Sequence, residues 1–370
     1  MLDIDALTAD VEQQALEYIS KVDEATFSFG LTVGGKRATL SLTTPGARVA
    51  PKPEPDSIYE IGSISKTFSN TLLAVLEDQG LLSIDDTLGT HLPFLRLSDD
   101  VSAITLRQLA THSSGLVSTG DIHTYYQVTE LRGTEPPFGA YTHYIRYKRE
   151  DLYSDLETAR FKHPTGTGFE YSVMGMGTLG HICELVGGKP YEELLRELVL
   201  DPLGLTDTFS ISLEQLPRMT FAYDAEGQPL PNWYHDVLMS QGGLRSTVTD
   251  LLAFAEAQLK ATAEEADTVL ARAMRRTRQV YFTVPYQDDP ALPIRSQWNG
   301  QVVQGLAWRG FADRPTSWWH PGTTIFYHSG LAIDTDAQVG VVMLTSSRKA
   351  LALINDFNEL FLGWFRKACA

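Results

Sequence analysis

The sequence predicts an α+β fold: an antiparallel sheet flanked by helices, with a mainly helical unit inserted into it. Three observations lead there. A helix and a β-hairpin open the chain, strand signals then lapse through its middle, and candidate strands return near the end before a closing helix. Distant chain ends of this kind complete one sheet around an inserted unit. The division places residues 1–85 and 295–370 in a discontinuous α/β sandwich domain and residues 86–294 in a mainly helical domain.

Residues 3–22 carry Leu7, Val11, Ala15 and Ile19 at helical spacing. Residues 27–33 and 38–42 alternate as strands around Gly34-Gly35-Lys36, a hairpin turn. Pro51, Pro53 and Pro55 exclude a helix interior, and Ile58 to Gly62 is extended. From Ser63 the period changes. Phe68, Leu72, Val75 and Leu76 form one apolar helical face that ends at Gly80. Residues 104–110 begin a helix with Thr105 as cap. Residues 120–150 are rich in Tyr and His, with weak periodicity. Helices are expected over 175–186, 190–200 and 249–259, and strands over 305–308, 324–333 and 338–345. Leu353, Ile354, Phe357, Phe361 and Trp364 give the last helix its apolar face.

Lys and Arg number 30 against 46 Asp and Glu, a net charge of −16. Such a surface repels phosphate backbones and anionic membranes, so neither nucleic acid nor membrane is an expected partner. Two cysteines, Cys183 and Cys369, make no disulfide framework and read as free thiols. The first residues lack a basic start and an apolar run, and no apolar stretch is long enough to span a bilayer, so the expected location is cytoplasmic. The nine histidines show no metal-type pairing, and neither a metal nor a cofactor is expected. Gly30 to Lys36 imitates a phosphate loop, but Arg37 stands where Ser or Thr is required, and the segment is a hairpin.

The chemistry begins at Gly62-Ser63-Ile64-Ser65-Lys66. A serine hydroxyl needs a base, and residues three apart share a helix face, so Lys66 reaches the Ser63 hydroxyl. The helix start favours a developing oxyanion, and its field together with desolvation lowers the lysine pKa. A second element, Gly168 to Ser172, presents Tyr171 at a loop-to-helix junction, where a phenol can relay protons. A third, Trp318-Trp319-His320-Pro321-Gly322-Thr323, precedes a predicted strand. Gly322 allows close backbone approach there, and the Thr323 amide is a candidate oxyanion donor. Each element alone has an ordinary reading: surface decoration, a half-buried core tyrosine, a loop histidine.

In this order, Ser63-x-x-Lys66, Tyr171-Ser172 and His320-Pro321-Gly322 resemble the serine hydrolases that include class C β-lactamases, DD-peptidases and family VIII carboxylesterases. The stretches Ile104 to Leu116, Asp201 to Leu205 and Gly242 to Thr247 resemble the family as well, so the likeness runs over roughly residues 20–365. It implies the β-lactamase/transpeptidase-like fold, with the active site between the sandwich domain and the helical one. It also implies roles: Ser63 attacks, Lys66 takes its proton, Tyr171 shares the relay, and the amides of Ser63 and Thr323 form the oxyanion hole.

Two departures bear on substrate. Val173 stands where many members have Asn, and His320-Pro321-Gly322 where β-lactamases have Lys-Thr-Gly. Valine and proline donate no hydrogen bond to a lactam or peptide amide. Both departures resemble family VIII esterases. The expected function is a carboxylesterase or acyl-transfer enzyme on small to medium apolar esters. An amidase, D-peptidase or β-lactamase on the same machinery is one alternative, and a non-catalytic binding protein is another. The small-molecule ester or amide would rest in a pocket lined by Val173, Tyr126, Trp308 and Trp319. Tyr125, Phe138, Tyr141, Tyr144, Tyr147, Tyr281, Tyr286, Trp298 and Trp318 are further aromatic candidates, although such clusters more often serve packing.

Overall fold

The computed structural model describes residues 4–117, 147–210, 212–263, 267–285 and 301–370. In chain order its main elements begin with helix α1 (Ile4–Ile19), strands β1 (Thr26–Val33), β2 (Lys36–Thr43) and β3 (Tyr59–Glu60), and helix α2 (Ser65–Asp78). Helices α3 (Leu106–Ala110), α4 (Val173–Gly187) and α5 (Met239–Gly242) precede β4 (Arg245–Ser246), α6 (Val248–Lys260) and α7 (Val269–Thr277). Strands β5 (Phe282–Thr283), β6 (Val302–Gln304), β7 (Arg309–Phe311), β8 (Arg314–Thr323), β9 (Tyr327–Asp334) and β10 (Val339–Ser346) lead to helix α8 (Ile354–Ala368).

One antiparallel sheet runs β2-β1-β10-β9-β8-β7-β6-β5. The opening hairpin docks on the last strand, Phe29 opposite Met343, so both chain ends build one sheet. Both faces are buried along β1 and β10: β10 is largely apolar, and β1 alternates apolar residues with small polar ones that are buried too. Phe27, Phe29, Val341 and Met343 face α1 and α8 through Val11, Phe361, Trp364 and Phe365. Val342, Leu344, Leu331 and Ile333 face α6 and the helical layer. This matches the β-lactamase/transpeptidase-like architecture expected from the sequence. Strand β5 lies within the span assigned to the helical unit, yet it joins the sheet edge. No helix among the described residues is long and apolar enough to cross a membrane.

Three expectations need correction. Residues 305–308 are not a strand but the bend between β6 and β7, where Ala307 takes a φ of 66°. The segment Trp318–Thr323 precedes β9 as expected, but it is itself strand, the end of β8. Pro321 hid it, because proline removes a ladder donor. Its place fits that rule: Trp318 and Trp319 pair with both β7 and β9, whereas Pro321 pairs with Gly330 of β9 alone. Helix α2 is not amphipathic in burial; every residue from Ser65 to Leu76 is buried. It packs among helices α4, α5 and α7. Several of its polar side chains bond within the helix or to neighbours: Thr67 and Thr71 bond to Ile64 and Thr67 carbonyls, and Ser69 bonds to Tyr191 and the Ser240 carbonyl.

Candidate active site

Ser63 sits in a 3-10 turn, Gly62–Ile64, that runs directly into α2. Three bonds fix the approach. Ile61 N–H donates to the Leu244 carbonyl (3.1 Å), Ser329 Oγ to the Ile61 carbonyl (2.7 Å), and Leu244 N–H to Ser65 Oγ (3.1 Å). Gly62 has a φ of +47°, and a Cβ there would lie 2.8 Å from the Thr323 amide nitrogen. Glycine is required twice over: for the left-handed backbone and for the close approach of β8. That approach places the end of the third motif beside the residue preceding Ser63.

Lys66 lies one turn on. Its Nζ is 3.0 Å from Ser63 Oγ and donates to both the main-chain oxygen and Oε1 (3.3 Å) of Gln241. The side chain is fully buried. Burial first, then the Arg309 charge, holds its pKa well below the usual lysine value. A neutral amine has two N–H groups and one lone pair. With both N–H groups on Gln241 oxygens, the lone pair remains for the Ser63 hydroxyl hydrogen.

Tyr171 approaches from the loop before α4, whose N-cap Ser172 accepts the Gly175 amide (3.0 Å). Its hydroxyl donates to Ser63 Oγ at 2.7 Å, and Lys66 Nζ stands 4.8 Å from its ring centroid. The three sequence-predicted groups therefore meet. Such an arrangement can pass a proton from serine to amine and from phenol to a leaving group.

The third motif behaves differently from a lysine-bearing one. His320 is buried, its Nδ1 donates to the Pro321 carbonyl (2.6 Å), and burial followed by Arg309 and Lys66 lowers its pKa well below the ordinary value. It is neutral at neutral pH and brings no cation. The cation comes from Arg309 on β7, opposite Trp319 in register. Its guanidinium stands 5.5 Å from the rings of Tyr171 and Trp319 and 5.9 Å from Phe169. Arg309 and Gln241 were missed in the sequence. Gly242-Gly243 flagged the right turn one residue late, and Arg309 carried no motif; only its place beside β8 could have singled it out.

The expected pocket is partly displaced. Trp308 is a core residue, fully buried and stacked on Phe254, because the bend before β7 turns it toward α6. Trp319 is also buried, with its ring on Phe311 and beneath Arg309. Trp318 packs in the helical-side core, and Tyr147 is buried with its hydroxyl on Asp155. Val173 opens α4 beside Tyr171. Tyr125, Tyr126, Phe138, Tyr141, Tyr144, Tyr286 and Trp298 lie outside the described residues.

A family model described as Beta-lactamase matches residues 19–359. The Beta-lactamase of Lysobacter lactamgenus is 25% identical over 311 residues, 82% of this chain and 69% of that protein. The D-alanyl-D-alanine-carboxypeptidase/endopeptidase AmpH of Escherichia coli (strain K12) is 27% identical over 259 residues, 67% of this chain and 62% of that one. The matched region thus spans about two thirds of these relatives' lengths. Among solved structures, a Beta-Lactamase/D-Alanine Carboxypeptidase from Pseudomonas syringae superposes with a TM-score of 0.73 at 20% identity, covering 97% of this chain and 99% of that one. The octameric penicillin-binding protein homologue from Pyrococcus abyssi gives 0.72 at 22%, covering 98% and 78%. With a family match that takes in all but the two ends, on a fold these structures share, the chain belongs to the beta-lactamase family of serine enzymes.

Proposed function

We propose that this chain is a serine hydrolase that forms an acyl-enzyme on Ser63 and acts on carboxylic esters of small to medium apolar groups. The observation that carries the reading is the convergence of Lys66 Nζ and the Tyr171 hydroxyl on Ser63 Oγ, at 3.0 and 2.7 Å. Ser63 attacks the acyl carbon while neutral Lys66 takes its proton. Tyr171 delivers a proton to the departing alkoxide, and the amides of Ser63 and Thr323 hold the oxyanion. Water then attacks the acyl-enzyme with the proton steps reversed.

The ester preference is supported by what surrounds the relay. Val173 offers no amide to a peptide or lactam side chain, and His320 and Pro321 supply no ammonium. Alkoxides leave with less protonation than amines do. A second reading, amide or lactam cleavage, has one specific support: Arg309 places a permanent positive charge at Tyr171, and the relatives include a β-lactamase and a D-alanyl-D-alanine carboxypeptidase.

The test is turnover of p-nitrophenyl acetate and butyrate by the wild-type chain and by Ser63→Ala, beside nitrocefin and D-alanyl peptides. Ester turnover lost in Ser63→Ala, with a mass adduct on Ser63 in the wild type, supports the proposal. Turnover unchanged in Ser63→Ala would falsify it. Brisk nitrocefin or D-alanyl peptide cleavage with poor ester cleavage would transfer support to the second reading.

A further inference from the structure

His112 is a non-glycine residue with a φ of +56°, buried in the turn after α3. Such a backbone is costly for a histidine and persists where its surroundings impose it. The surroundings here are the Tyr171 loop. The His112 carbonyl accepts the Glu170 amide at 2.9 Å, and its Nδ1 accepts the Ser172 amide at 3.2 Å. Its ring lies on Tyr171 with centroids 4.3 Å apart, and Phe169 meets it edge-on at 5.7 Å. One residue therefore holds the amides on both sides of Tyr171 and covers its ring.

We propose that His112 is a positioning residue for the phenol relay, gripping the loop on both sides of Tyr171 through its carbonyl and through Nδ1 of the neutral, Nε2-protonated imidazole. The inference rests on the proposed role of Tyr171. The tautomer follows from the bonding: Nδ1 accepts a backbone N–H, so the ring proton sits on Nε2. Among the described residues Nε2 has no hydrogen-bond partner. Protonating the ring would place a hydrogen on Nδ1 against the Ser172 amide and release the grip. The charged or titratable groups acting on this ring are Lys66, Arg309 and His320, with Tyr171 stacked on it. Arg309 opposes a proton on the ring as a permanent positive charge, and Lys66 does so whenever it is protonated. Burial opposes it as well, so the neutral form is the one this position keeps.

Two substitutions separate the grip from the backbone strain. Asn tolerates positive φ and offers Oδ1 close to where Nδ1 stands; Gly tolerates the φ and offers nothing. His112→Gly should lose about 100-fold in kcat on p-nitrophenyl butyrate with KM changed less than about threefold, as for a displaced relay group. His112→Asn should retain kcat to within about tenfold. Equal losses in the two variants, or none in either, would overturn the proposal. A second measurement does not depend on turnover: imidazole 15N NMR of the wild-type chain. It should show His112 as the Nε2–H tautomer with no titration near pH 6.5. An Nδ1–H tautomer, or titration in the ordinary histidine range, would overturn it as well. If the wild type fails to turn over esters or to form a Ser63 adduct, the proposed function fails. The 15N result then still decides whether the grip exists.

Discussion

Lys66 is fully buried, and its hydrogen-bond partners are neutral: Ser63 Oγ and two oxygens of Gln241. Burial and the Arg309 charge both disfavour its ammonium form. Activity should therefore rise with pH as Lys66 loses its proton, with the limb well below the ordinary lysine range. Replacing Arg309 with Met removes the nearby charge and raises the Lys66 pKa, so the acid limb of kcat/KM should move to higher pH. A limb that stays in place would show that the two groups are not coupled. The same depression has a stability consequence. An unfolded lysine titrates at about 10.4, so between the lowered folded pKa and that value the unfolded chain binds a proton that the folded chain does not. Folding is then penalised below the unfolded pKa, and stability rises with pH toward it. Denaturant unfolding at about pH 7 and about pH 9.5 should show a larger gain for wild type than for Lys66→Met. The i, i+3 spacing and the depression by desolvation were legible in the sequence; the part played by Arg309 and Gln241 was not. That spacing fixes the reach of the amine. Its ionisation is set by residues far along the chain.

At the scale of elements, the junction of β8 with the turn before α2 is the tightest fit in the site. Gly322 would meet the Ile61 carbonyl oxygen at 2.1 Å if it carried a Cβ, and Gly62 would meet the Thr323 amide at 2.8 Å. Gly62→Ala also forces a left-handed alanine, costing about 1–2 kcal/mol before any clash. We expect that variant to lose about 2 kcal/mol or more in denaturant unfolding, with ester turnover down at least about tenfold as the two strands part. Full turnover in a folded Gly62→Ala protein would show that this contact does not shape the site. The helix at Ser63, the hairpin and the Thr105 cap were legible because their signals lie within a few residues. The cap forms with Gln108 as its reciprocal partner. Strand β8 was not legible, because its proline obeys an edge rule that depends on which neighbour reaches it. The bend at 305–308 was misread for a related reason: its apolar residues are buried as core, and burial alone does not distinguish strand from turn.

For the whole molecule, the sheet depends on the two chain ends meeting. Trp364 of α8 makes edge contacts with Phe27 and Phe29 of β1 at 6.0 and 5.7 Å, and its Nε1 donates to Gln14 of α1. Trp364→Ala should cost about 3–5 kcal/mol in unfolding free energy. Its effect on kcat in the protein that remains folded should be small, since the tryptophan lies on the face of the sheet away from Ser63. A loss below about 1 kcal/mol would mean that α8 is not part of the cooperative unit. The sequence reading of one sheet closed by both ends is what makes this residue matter, and the register of Phe29 opposite Met343 gives it a position.

By itself, the sequence determined the architecture and picked out the trio that meets at Ser63. Alternation, helical period and the Ser-x-x-Lys step are local patterns, and local geometry reads them directly. Tertiary structure alone decided how those groups are tuned. Gln241 lies 175 residues from Lys66 and His112 60 from Ser172, and Arg309 comes from another strand. A proton's position depends on the dielectric and charges around it, which exist only once the chain has folded.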